Sequence, residues 1–147
     1  MSLFFVTNCY AVVWSSGELI EKSKELNGRK LSYKGELVTA ILASGEYSWI
    51  NLNDGSNAIG VWCRSGLLDG VKFAGDYKSR GDVIEVDGIL NRACSVHNGE
   101  LDIHADTVKI VKCGHDVKRV INTNRMQSAA ALFVVVLLTI VIFKKRL

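Results

Sequence analysis

Five short segments rich in β-branched and aromatic residues, each bounded by glycine, asparagine or aspartate, fill the chain from Leu31 to Val111. Their order, spacing and turn chemistry predict an all-β fold, a small five-stranded barrel. The first strand is expected from Leu31 to Leu42, interrupted by Gly35, where a glycine within a strand suggests a bulge or sharp coiling. Tyr47 to Leu52 is the second, and Asn53-Asp54-Gly55-Ser56 is a hairpin turn leading into the third, Ala58 to Cys63. The connection from Ser65 to Arg80 holds Gly66, Gly70 and Gly75 and reads as loop with at most one helical turn. Gly81-Asp82 opens the fourth strand, Val83 to Leu90, and His97-Asn98-Gly99 turns the chain into the fifth, Leu101 to Val111.

Ahead of the barrel, Ser15 followed three residues later by Glu18 has the pattern of a capping box, and Asn27-Gly28 supplies a helix stop. A docking helix is therefore expected within 16–28, with Leu19, Ile20 and Leu26 on its barrel-facing side. The barrel domain is set at 29–115.

The two ends are apolar. From Met126 to Phe143 no charged residue occurs, and Lys144-Lys145-Arg146 follows. A helix of that length spans about 27 Å, close to the hydrocarbon thickness of a bilayer. The expected organisation is thus a basic juxtamembrane linker over 116–125, a single-pass C-terminal transmembrane helix over 126–143 and a basic tail over 144–147. Lys118, Arg119 and Arg125 on one flank balance Lys144, Lys145 and Arg146 on the other, so flanking charge does not set the orientation. Residues 1–15, with no charged side chain before Glu18, resemble the apolar part of a signal segment. On that reading the barrel lies outside the cytoplasm; otherwise the protein is tail-anchored with a cytosolic barrel.

Charge is divided along the chain. Residues 1–115 carry 12 Lys/Arg against 14 Asp/Glu, net −2, and residues 116–147 carry 6 against 1, net +5. A domain that holds phosphates by charge alone is usually positive, because counterion release drives such binding. This barrel is not.

The phrases Tyr33-Lys34-Gly35-Glu36-Leu37, Trp49-Ile50-Asn51-Leu52-Asn53-Asp54-Gly55-Ser56, Gly81-Asp82-Val83-Ile84-Glu85-Val86-Asp87-Gly88 and Gly99-Glu100-Leu101-Asp102-Ile103-His104-Ala105 resemble OB-fold nucleic-acid-binding domains of the tRNA-anticodon-binding type. The resemblance covers about 80 residues and implies a five-stranded OB-fold barrel with single-stranded nucleic acid as ligand. Its phrases encode turns and strand starts, and a fold of this kind hosts many functions. A membrane anchor departs from the synthetase members and makes tRNA aminoacylation an unsuitable context.

Alternation places Ile50 and Leu52, and Ile59, Val61 and Cys63, inside the barrel. Tyr47, Trp49, Asn51 and Trp62 then face outward on the second and third strands, where OB domains take oligomers. Bases could stack there, with Gly60 letting a flat ring approach the backbone. Arg64, Lys72, Lys78, Arg80 and Arg92 lie on adjacent loops within reach of phosphates. The same aromatics suit packing beneath the 16–26 helix or the glycine-rich connection. An envelope protein or polymer is the other ligand class.

Cys94-Ser95-Val96-His97 has the spacing of a zinc knuckle, and His104 could approach it across the hairpin. No fourth ligand is evident, so the histidines read as a turn residue and a strand residue, and no metal or cofactor is assigned. Cys63 reads as an isolated buried thiol. Asp82 reads as the start of a strand, and Glu85 and Asp87 as its solvated face. With no nucleophile elbow, phosphate loop or metalloprotease helix, no catalytic residue is assigned and the chain reads as a binding module, not an enzyme.

Overall fold

The computed structural model describes residues 12–118 and, further on, 127, 128, 131–136, 139, 140 and 144. The chain divides into two units, 1–117 and 118–147.

The first unit is the barrel. Its strands are β1 (Val13–Trp14), β2 (Lys30–Leu37), β3 (Leu42–Ser44), β4 (Tyr47–Asn53), β5 (Ala58–Arg64), β6 (Ser79–Arg80), β7 (Val83–Asn91), β8 (Asp102–Lys112) and β9 (His115–Asp116). The helices are α1 (Ser16–Glu21) and α2 (Ser23–Leu26). Five long strands close in the order β2–β4–β5–β8–β7–β2. Among these five, pairing is antiparallel except between β5 and β8, which run parallel; β1 also joins β2 in parallel. This is the OB arrangement that the resemblance implied. Strands β6 and β9 form a separate two-stranded sheet.

Alternation fixes the register. In β4 and β5, Ile50, Leu52, Val61 and Cys63 are buried inward with Ile59, as the pattern predicted. Tyr33, Leu37, Ile84, Val86, Leu90 and Ile103 complete the core from the other strands. Each buried Leu, Ile or Val contributes about 1.5–3 kcal/mol. Tyr33 is fully enclosed because its hydroxyl donates to the Leu52 carbonyl at 3.0 Å.

The first strand differs from expectation in two ways. It stops at Leu37, and Leu42–Ser44 is a separate strand on the free edge of β4. Gly35 is not at a bulge: pairing with β7 is continuous from Lys30↔Ile89 to Glu36↔Val83. The glycine is needed because β4 crosses close by, and a Cβ here would lie 2.8 Å from the Asn53 amide nitrogen. The irregularities lie instead in the β7–β8 ladder, at Val83/Ile84 and Asp87/Gly88.

The capping box forms as expected: Glu18 and Ser15 bond reciprocally. The helix is nevertheless two short ones that meet at Lys22, whose amide reaches back to the Glu18 and Ile20 carbonyls. Adjacent residues on a helix point about 100° apart, and α1 turns only one of Leu19 and Ile20 toward the barrel. Leu19 is buried and Ile20 is exposed. The break turns Leu26 back into the core. Upstream, Val13 and Trp14 pair with Ser32 and Tyr33, so the described end of the apolar segment joins the barrel sheet. Residues 1–11 lie outside the described residues.

Asp82 does more than start a strand. It is 1% exposed and accepts backbone N–H bonds from Lys72 (2.7 Å), Phe73 (3.1 Å) and Gly114 (2.6 Å). Burial pushes its pKa up, but these three donors outweigh it and hold the carboxyl below its ordinary value. Asp87 is likewise not simply solvated, because it accepts from Ser32 and from Thr107.

In the second unit, 127–128, 131–136, 139–140 and 144 are helical and exposed. Among the described residues no helix is long and apolar enough to cross a membrane. The expected span over 126–143 lies partly outside the described residues, as does most of the linker over 116–125.

Candidate binding face

The outer surface of β4, β5 and β8 carries a row of side chains in strict register. Leu42 pairs with Trp49, Trp49 with Trp62, Trp62 with His104, and His104 with Ile89. Two residues along, on the same face, Tyr47 pairs with Arg64. The Tyr47 and Trp62 rings stack at 5.4 Å with 7° between planes, and the Arg64 guanidinium lies 6.0 Å from the Tyr47 ring centre. Beside them is a pocket of about 430 Å³ lined by Tyr47, Trp62, Arg64, Leu67, His104 and Asp106, among others.

Trp49 and Asn51 have internal tasks. The ring that Gly60 admits is that of Trp49, since a Cβ on Gly60 would sit 2.1 Å from Trp49 Cζ2. Trp49 Nε1 donates to Asn51 Oδ1 at 3.3 Å, and Asn51 Nδ2 donates to Thr39 Oγ1 at 3.1 Å. Asn51 therefore orients Trp49. Both tryptophans pack against His97, with ring centres 5.0 Å and 4.8 Å away. The hairpin between β7 and β8 thus walls the platform, where the alternative to an open face had been cover by the 16–26 helix or the glycine-rich connection. Tyr47 remains exposed.

Of the basic residues expected nearby, only Arg64 joins this face by register. Arg80 pairs with Glu36 at 3.6 Å, and Glu36 lies opposite Asn53, at the other end of β4 from Tyr47. Lys78 precedes Arg80 in a turn organised by Asp76. The Lys72 amide bonds to Asp82, and the Arg92 amide bonds to Asn27. No continuous basic track joins these residues along the strands.

The hairpin holds a second cluster. Cys94 Sγ lies 3.4 Å from His97 Nδ1 and 3.4 Å from His104 Nε2. The fourth donor that spacing did not reveal is Asp102. Its Oδ2 is 2.5 Å from His97 Nδ1 and 3.4 Å from His104 Nε2. One donor atom from each of the four residues fits within 4.8 Å of the others. Asp102 is completely buried, and its Oδ1 accepts from Asn91 Nδ2 at 3.1 Å. The Cys94 carbonyl accepts from the His97 and Gly99 amides, which folds the knuckle. Asn98 and Gly99, at φ 56° and 82°, complete the turn. Asp102 and His104 are two apart on a strand and therefore share a face, the signal that could have named the missing donor. Cys63 is inward-facing, and burial raises its thiol pKa to about 11.

No protein-family model matches the chain, and no curated protein matches it in sequence. Solved structures do resemble it. One is described as an aspartyl-tRNA synthetase from Leishmania major Friedlin, at 14% identity and TM-score 0.52, covering 81% of this chain and 24% of that one. Another is the OBody AM3L15 bound to hen egg-white lysozyme, at 16% identity and TM-score 0.50, covering 71% of this chain and 96% of that one. The asparaginyl-tRNA synthetase from Pyrococcus horikoshii complexed with asparaginyl-adenylate has 16% identity and TM-score 0.49, covering 71% and 23%. The chain spans about a quarter of the length of the synthetases it resembles. At such identities the likeness is one of fold.

Proposed function

We propose that this protein is a binding module that takes single-stranded nucleic acid on the outer face of β4 and β5, and that residues 126–143 anchor it to a membrane. The observation that carries the first part is the Tyr47–Trp62 stack with Arg64 beside it, on the face an OB barrel uses for oligomers. Stacking supplies about 1–3 kcal/mol per base and tolerates any sequence, which suits a barrel with little positive charge. Arg64 gives one cation for a phosphate or a stacked base. No catalytic step is assigned to the site.

The test is fluorescence titration of the full chain with a single-stranded oligonucleotide. Binding should quench tryptophan emission, and Trp62→Ala should weaken it by about tenfold, the loss of one stacked base. Absence of quenching at any salt concentration would refute the reading. The anchor is supported by the uncharged run and the cations that bound it. Leu137→Lys together with Ile140→Lys should release the protein from the membrane fraction, and retention there would refute the anchor.

A second reading is favoured by the net charge of −2 over residues 1–115: the same face meets a protein or an envelope polymer. A structure of similar fold, the OBody, is itself bound to a protein. Salt separates the two, since phosphate contacts weaken steeply as salt rises and an uncharged interface does not.

A further inference from the structure

We propose that Cys94, His97, Asp102 and His104 form a zinc site that holds the β7–β8 hairpin against the aromatic platform. The inference stands on the geometry of the four donors and does not depend on what the platform binds.

Three observations carry it. The first is spacing. With zinc–sulfur near 2.3 Å and zinc–nitrogen or –oxygen near 2.0–2.2 Å, the edges of a tetrahedral site are about 3.3–3.6 Å. Cys94–His97, Cys94–His104 and Asp102–His104 are each 3.4 Å. The His97–Asp102 edge, at 2.5 Å, has the length of a hydrogen bond. It needs to open by about 0.8 Å for both atoms to face a common ion.

The second is charge. Asp102 is fully buried, and a carboxylate taken out of water needs a compensating cation. Its ion-pair partners among the described residues are the His97 and His104 imidazoles, the same groups that would ligate the metal, and no lysine or arginine joins them. A dication bound by the Asp102 carboxylate and the Cys94 thiolate gives a neutral centre, with His97 and His104 as neutral ligands. The third is the arrangement around the donors. Asn91 holds the second Asp102 oxygen, as the outer partners of metal-binding carboxylates do. His97 Nε2 is buried without a hydrogen-bond partner among the described residues. With Nδ1 on the metal, Nε2 carries the proton, in a ring whose centre lies 5.0 Å from that of Trp49 and 4.8 Å from that of Trp62.

Four protein donors make a closed site, which is the structural class of zinc centre and leaves no position for a reacting water. Its role is positional: one ligand, His97, touches both tryptophans.

Metal analysis of the full chain purified without chelators should find about one zinc per chain. After the zinc is stripped, Co²⁺ alone should restore visible bands of tetrahedral intensity and a thiolate-to-cobalt charge-transfer band. Cys94→Ser should abolish that band, and Cys113→Ser, which alters an exposed thiol outside the cluster, should leave it intact. Asn91→Ala should lower zinc affinity by about 10–100-fold. A wild-type chain that carries no zinc and gives no cobalt spectrum overturns the proposal, and so does a charge-transfer band that survives Cys94→Ser. The wild-type measurements do not depend on whether any variant folds.

Discussion

Asp82 precedes β7, Asp102 opens β8 opposite the far end of β7, and both are shut off from water, at 1% and 0% exposure. Their surroundings differ in kind. Asp82 receives three backbone N–H groups, which cannot titrate and serve no other ligand. Asp102 receives one amide side chain and otherwise faces a thiol and two imidazoles. A buried carboxylate answered by backbone is a fastener. One answered by histidines and a nearby thiol is hydrogen-bonded as well, but its partners are groups that the proposed zinc would recruit.

The sharpest test of this contrast is Asp82→Ala. It strands three amides, each costing about 1–3 kcal/mol when buried and unpaired. Chemical denaturation should show a loss of about 3–5 kcal/mol, unchanged by chelator. Chelation of the wild-type protein should come next, lowering stability by about 2.7 kcal/mol if zinc had been present at a hundredfold excess over its dissociation constant. The same treatment of Asp102→Asn should do much less. If chelator destabilises both variants equally, the two aspartates are not different in kind.

Acid should reveal the fastener. The Asp82, Asp54 and Asp87 carboxyls are all held below the ordinary value of 3.8. For Asp82 and Asp54 backbone donors overcome the effect of burial, while for Asp87 the Ser32 and Thr107 hydroxyls lead. A depressed native pKa stabilises the fold above the unfolded value, so stability should fall as pH drops below about 4. Asp82→Asn should flatten that limb in an acid denaturation series. Cys63 has the opposite sign: its thiol is raised from 9.0 to about 11, so its contribution is complete below pH 9 and lost as pH rises through 11. Cys63→Ala should remove that alkaline slope. The smallest effect is expected from Gly60→Ala. Displacing the Trp49 ring should cost about 1–3 kcal/mol and red-shift tryptophan emission. An unshifted spectrum would mean that the ring does not lie on Gly60.

Much of the barrel was legible because period-two burial is a local signal. Ile50, Leu52, Ile59, Val61 and Cys63 face inward as alternation requires, and both hairpin turns fall at their glycines. Features fixed by distant chain were not legible. Gly35 is explained by Asn53 crossing it, and the flat ring expected over Gly60 is that of Trp49 itself, not a ligand's. The scatter of Lys78, Arg80 and Arg92 follows from where the loops go, which their sequence does not encode simply. At the candidate metal site, the Cys-x-x-His spacing was visible, and alternation already set Asp102 and His104 on one face; what spacing did not show is that the hairpin brings that face to Cys94 and His97.

All four donors of that cluster fall within residues 94–104, on one hairpin between the two most extensively paired strands. By contrast, the parallel β5–β8 pairing and the β2–β7 ladder close the barrel across long stretches of chain. Loop-closure entropy delays such distant pairings, whereas a hairpin gathers its residues in microseconds. The donors can therefore assemble while the barrel is still open. Trp49 and Trp62 are paired on a second hairpin, β4–β5, closed by a shorter turn, so the binding face is the meeting of two pieces that are each built locally.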